Sequence, residues 1–83
     1  MTAEQFKALT AFRGALQPLI RDPACGPTAF EIQEGLGPRV PLTSKITSGN
    51  VLKVLGILSE RPELAKSRTR LEEAWAEVVR QFA

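Results

Sequence analysis

Apolar residues recur along the first quarter of the chain at helical spacing. Leu9, Phe12, Leu16, Leu19 and Ile20 follow one another at intervals of three or four, with Ala8 and Ala15 beside them. Lys7, Thr10, Gly14 and Gln17 fall on the opposite side. That period marks an amphipathic helix. Thr2-Ala3-Glu4-Gln5 has the form of a capping box, in which a hydroxyl and an amide satisfy free backbone donors at a helix start. Pro18 lacks the N–H that a helix needs, so a kink, or an end about one turn earlier, is expected there. Arg21 to Pro27 holds two prolines and a glycine and reads as a loop.

Three more helices are expected. Thr28-Ala29-Phe30-Glu31 forms a second capping box, opening a short helix that ends near Leu36 with Gly37 as its stop. Pro38 to Ile46 then reads as an extended connection, with Val40, Leu42, Lys45 and Ile46 as candidates for a brief extended pair. Thr47 or Ser48 suits the cap of a third helix. Its apolar positions Val51, Leu52, Val54, Leu55, Ile57 and Leu58 cover more than half its circumference, the pattern of a buried helix. It ends at Ser59 to Pro62, and Glu63 to Ser67 reads as a turn of helix or the start of the last one. Thr69-Arg70-Leu71-Glu72 is a third capping box for that last helix, whose stripe Leu71, Ala74, Trp75, Val78 and Phe82 is set to pack on Leu9, Phe12 and Leu16. On its polar face Arg70–Glu73 and Glu77–Arg80 are spaced to pair. The fold expected is all-α: one compact domain over residues 1–83, of four or five helices, with a central buried third helix flanked by the first and the last.

Composition narrows the chemistry. With 83 residues, 43% hydrophobic and 24% charged, the chain has the make-up of a small globular domain. The absence of histidine and tyrosine removes the commonest acid–base groups, and no nucleophile motif, phosphate loop or metal-ligand spacing is present. We expect no enzyme activity, no metal and no cofactor. The lone Cys25 excludes an internal disulfide. It sits in a turn near a helix start, where it is either a small packed side chain or a reactive thiol. Glu31 with Glu34, and Glu73 with Glu77, share helix faces but read as solvated surface. No run is long and apolar enough to span a bilayer, since Val51 to Leu58 is broken by Lys53 and Gly56. Nor does the N-terminus read as a signal peptide, so a cytoplasmic protein with no membrane role is expected.

Net charge is +2, unevenly spread. Between Gly37 and Arg70, Arg39, Lys45, Lys53, Arg61, Lys66, Arg68 and Arg70 oppose only Glu60 and Glu63, an excess of five. Acidic residues predominate on both sides. Such clustering suits an anionic partner. Positive charge at Lys66, Arg68 and Arg70 also opposes the dipole of a helix starting nearby.

The run Thr28-Ala29-Phe30-Glu31-Ile32-Gln33-Glu34-Gly35-Leu36-Gly37 resembles the first helix of helix-turn-helix DNA-binding domains. Ile46-Thr47-Ser48-Gly49-Asn50-Val51-Leu52-Lys53-Val54-Leu55 is similar to the second helix of that motif. The resemblance is confined to residues 28–58. It implies nucleic-acid binding or transcription regulation, with Lys45, Thr47, Ser48, Asn50 and Lys53 meeting DNA and Arg39, Arg61, Lys66, Arg68 and Arg70 holding phosphates. The sequence departs from the motif in its long connection between the helices and its lack of a β-hairpin wing. It departs also in carrying Gly49, Lys53, Gly56 and Glu60 on the outer face of the third helix, where the two glycines suit the close approach of another backbone. The competing reading is a helical protein-interaction module, an adaptor or inhibitor, docking on an acidic partner through Arg39 and the Lys66–Arg70 cluster. Trp75 and Phe82 are then alternatives to core, as anchors of a groove or homodimer contact.

Overall fold

A computed structural model of the chain describes residues 2–35 and 45–82, and over these it is all-α, with no strand. Four helices follow in order: α1 Ala3–Ile20, α2 Gly26–Glu34, α3 Lys45–Ser59 and α4 Ala65–Phe82, with a 3-10 turn Pro62–Leu64 leading into the last. They pack as a ring. α1 lies against α2 and α4, and α3 lies against the same two from the opposite corner. The α1–α4 pair makes the most extensive contact.

The start of α1 is as its sequence dictates. The Thr2 hydroxyl accepts the Gln5 backbone N–H at 3.1 Å, and the Gln5 side chain accepts the Thr2 N–H at 2.9 Å, completing the box. The Gln5 amide also donates to the carbonyl of Gln81 at 3.0 Å, fastening the start of α1 to the end of α4. The two helices therefore run antiparallel. Ala8, Leu9, Phe12, Ala15, Leu16 and Leu19 are buried, as the period requires. Pro18 neither ends the helix nor stops it a turn early; α1 continues to Ile20. The proline lies on the exposed face, where water can solvate the carbonyl it leaves without a donor.

α2 begins two residues before Thr28, which lies inside the helix rather than capping it. The Asp22 carboxylate organises the turn instead, accepting the N–H groups of Ala24 at 2.8 Å and Cys25 at 3.2 Å. Pro27 then supplies a preset φ in the first helical turn. Gly26 is needed here: a Cβ on it would lie 2.4 Å from the Ile20 carbonyl oxygen. α2 closes at Glu34 on Gly35, while the expected end at Leu36 and stop at Gly37 lie outside the described residues.

α3 differs most from expectation. It already includes Lys45 and Ile46, which are helical rather than extended, and Thr47 and Ser48 lie within it rather than at its cap. Val40 and Leu42 lie outside the described residues. α3 is not central. Thr47, Val51, Val54 and Leu58 are its buried stripe, Leu55 and Ile57 are half-buried, and Leu52 is 67% exposed. The apolar surplus misleads because a four-cornered ring lets each helix turn only one stripe inward.

α4 starts ahead of Thr69, which is interior. Pro62 opens a 3-10 turn in which the Leu64 N–H donates to the Arg61 carbonyl at 2.9 Å, and the helix grows from there. Leu71, Ala74 and Val78 are buried, while Trp75 and Phe82 pack half-buried against the core. Trp75 meets Phe12 with ring centroids 5.2 Å apart and planes tilted by 41°. This is core packing between α1 and α4, as the stripe predicts. Glu77 and Arg80 pair at 2.8 Å. The other ion pair along α4 links Arg68 to Glu72 at 3.6 Å, not Arg70 to Glu73.

Candidate interaction surface

The residues proposed to meet DNA do not share a face of α3. Thr47 is 5% exposed and turned into the core, which removes it from a base-reading surface. Ser48 and Asn50 are half-buried, and at 100° per residue they point about 160° apart. Lys53 alone of the described set is fully exposed. Lys45 lies in the first described turn, and Arg39 lies outside the described residues. Gly49, Leu52, Lys53, Gly56 and Ser59 are exposed on α3, and exposed Glu60 follows directly after its end, so Lys53 is the one cation among these residues.

The residues proposed to hold phosphates divide in two. Arg61 is engaged: its guanidinium donates to the Asp22 carboxylate and, at 3.0 Å, to Glu63. This ties the turn before α4 to the loop between α1 and α2. Arg68 leans on Glu72, and its Nε is buried with no hydrogen-bond partner, the 3.6 Å contact being too long for one. Lys66 and Arg70 are exposed on the flank of α4. Arg70 reaches across to α1, where a Cβ on Gly14 would stand 3.1 Å from its Nη2. Gly14 makes room for that guanidinium.

Lys66 and Arg70, with Ala65, Thr69 and Glu73, line a shallow hollow of about 410 Å³. A second hollow of about 290 Å³ is lined by Ala11, Arg70, Glu73, Ala74 and Glu77. Arg70 and Glu73 border both, so the two adjoin, with Arg70 between them, as a trough along α4 that covers roughly 18 Å from Ala65 to Glu77 at 1.5 Å per residue. Small side chains line it between charged ones. One end is basic, with Lys66 and Arg70, and the other acidic, with Glu73 and Glu77. Sequence reasoning found the basic end but missed the trough. Glu73 and Glu77 had read as mere solvated surface, and Ala11 gave no signal.

The sequence matches no protein-family model, and neither a curated protein nor a solved structure matches the chain.

Electrostatics elsewhere are structural. Hydrogen bonds from the Ala24 N–H, then the Arg61 guanidinium, hold the Asp22 carboxyl below its ordinary value. Its own backbone N–H, then Arg61, does the same for Glu63. Arg61 is raised by Glu63 first and by Asp22 second. Burial, helped by the nearby Asp22 charge, pushes the Cys25 thiol up. Cys25 is fully buried, with its sulfur 3.7 Å from the Leu19 carbonyl, so it sits as a packed side chain and not as an activated thiolate. Among the described residues no group of three or more His, Cys, Asp or Glu is placed to hold a metal, and no helix is long and apolar enough to cross a membrane.

The Asp22 carboxylate, held by the Ala24 N–H and then by Arg61, gives a pH-dependent contribution to stability. A carboxyl lowered in the fold stabilises at pH above its unfolded value, near 3.8, and that contribution is lost as pH falls through the lower folded value. Asp22→Asn is therefore expected to lower the urea midpoint at pH 7. The deficit should shrink as pH falls below about 3.8, where the wild type loses the same contribution. Equal deficits at pH 7 and pH 2.5 would show that the carboxylate charge is not what Asp22 contributes.

Proposed function

We propose that this chain is a small helical protein-interaction module, an adaptor or inhibitor, that takes an acidic segment of a partner protein in the trough along α4. The observation that carries this is the trough's charge division. Lys66 and Arg70 offer cations at one end, and Ala65, Ala11 and Ala74 leave room for a partner backbone. A trough about 18 Å long matches three turns of helix or a short extended peptide. The partner segment bears carboxylates that meet Lys66 and Arg70. Charge fixes its direction, because Glu73, which is in none of the described ion pairs, repels acidic residues at the far end, where Glu77 is paired with Arg80.

This reading is preferred to a helix-turn-helix nucleic-acid binder on electrostatic grounds. A duplex lying along α4 would bring phosphates against the exposed carboxylate of Glu73. Arg61 and Arg68, which a phosphate-binding stripe needs, already have carboxylate neighbours. A binder using four to six phosphates would lose affinity with salt at a log–log slope of roughly −3.5 to −5.5. We expect instead no retention of random duplex in a gel-shift titration at low ionic strength, up to about 100 μM protein, the non-specific range of DNA binders. Retention with a slope of that size, flattened by Lys66→Ala with Arg70→Ala, would replace the interaction module with the nucleic-acid reading.

A further inference from the structure

The outer face of α3 plays no part in that trough. Gly49, Leu52, Lys53 and Gly56 are exposed on α3, and Glu60, exposed in the turn directly after its last residue Ser59, extends the same side at intervals of three, one, three and four. A glycine inside a helix costs about 1 kcal/mol relative to alanine. Gly14 and Gly26 have internal reasons, in the Arg70 guanidinium and the Ile20 carbonyl. Gly49 and Gly56 have none: a Cβ on either meets nothing within 4 Å. Leu52, between them, is the most exposed of the large apolar side chains, at 67%. Lys53 and Glu60 stand two turns apart on the same stripe, and the described ion pairs include neither.

We propose that this face pairs with the same face of a second copy of the chain, antiparallel, with Leu52 of each copy over Gly56 of the other and Lys53 of each paired with Glu60 of the other. Leu52 and Gly56, and Lys53 and Glu60, are mutual complements on one stripe, which is what a twofold interface requires; Gly49 lies at the edge of the contact. A twofold axis level with Val54 sets each leucine opposite the other copy's glycine. With Glu60 one residue beyond the helix end and taken at the helical rise, it leaves Lys53 and the opposing Glu60 about 7.5 Å apart along the axis, within reach of two extended side chains. Parallel pairing would instead set Lys53 beside Lys53 and Glu60 beside Glu60. Antiparallel pairing also opposes the two helix dipoles favourably. A second copy is thus favoured over an unrelated partner by charge and shape together. One face of a 15-residue helix offers a narrow contact, so the dimer is weak. The pairing does not depend on the use of the α4 trough.

Sedimentation of the purified full chain from about 10 μM to 1 mM tests this, the millimolar end being the range of weak association. Wild type is expected to pass from monomer to dimer as concentration rises. Lys53→Glu and Glu60→Lys should each weaken dimerisation about tenfold, since each replaces two attractions with two repulsions. The double exchange, Lys53→Glu with Glu60→Lys, should restore it. Gly56→Gln fills the hollow and should leave a monomer with unchanged helical circular dichroism and no lower urea midpoint. A wild type that stays monomeric to 1 mM overturns the proposal. So does a dimer indifferent to Gly56→Gln, or one that the double exchange fails to restore.

Discussion

Phe12→Ala is expected to bring the chain close to unfolding in buffer. Phe12 is fully buried on α1 and its ring meets Trp75 of α4, so the substitution empties the contact that joins the two longest helices. Phenylalanine-to-alanine changes in cores cost about 3–5 kcal/mol. At roughly 0.05–0.15 kcal/mol per residue, a chain of this length has few kilocalories to spare. The urea midpoint should collapse, and Trp75 fluorescence should report the loss. Leu55→Ala should cost less, about 1–3 kcal/mol, because Leu55 is only half-buried. Thr10→Ala, on the exposed face of α1, should leave the midpoint unchanged. Equal midpoints for Phe12→Ala and Leu55→Ala would contradict the placing of the core between α1 and α4.

Among the described glycines, Gly26→Ala should be the most damaging substitution. The new Cβ would stand 2.4 Å from the Ile20 carbonyl oxygen and 3.2 Å from its carbon, both backbone atoms that no side-chain rotation can move aside. Relief requires α2 to shift away from the end of α1, which disturbs buried Cys25 and Ala29. Overpacking of this kind costs about 1–3 kcal/mol or more. Gly49→Ala, measured at low micromolar concentration, is expected to act in the opposite direction. It adds a helix-favouring methyl in open space and should stabilise by about 0.4–1 kcal/mol. The contrast is read from urea midpoints of the two variants. If Gly26→Ala were neutral, the α1–α2 packing described above would be wrong.

Local patterns carried the fold class well and the arrangement poorly, for physical reasons. The capping box of Thr2 and Gln5 and the stripe from Ala8 to Leu19 are short-range features, and both formed as their sequence implies. Thr28 and Thr69 have the same spacing to a glutamate, yet neither caps a helix. In each case a preceding turn with a proline, Pro27 or Pro62, nucleated the helix earlier. A capping box is informative only where no better start lies upstream. The Asp22–Arg61 pair spans 39 positions and left no trace in sequence spacing. Hydrophobicity placed α3 in the centre because it counts apolar residues without knowing how many neighbours a helix has. The burial of Val51, Val54 and Leu58 was legible; the burial of Thr47, expected at the cap and on the DNA, and the exposure of Leu52 were not. The charge excess between Gly37 and Arg70 pointed to Lys66 and Arg70, which the fold leaves exposed, but it could not show Arg61 and Arg68 beside carboxylates.

The measurement that bears most directly on the proposed function is photo-crosslinking from the trough itself. A photoreactive amino acid in place of Thr69, exposed and lining the basic end, is introduced into the full chain in the cell that makes it. The same residue in place of Glu31, exposed on α2 and away from α4, serves as the control. We expect one discrete protein adduct from position 69 and none from position 31. That adduct should be lost when Lys66→Glu and Arg70→Glu are added, while circular dichroism stays helical. An adduct to nucleic acid, or a protein adduct indifferent to those charge reversals, or no adduct from position 69, would contradict the assignment of the α4 trough as the docking surface for an acidic protein segment.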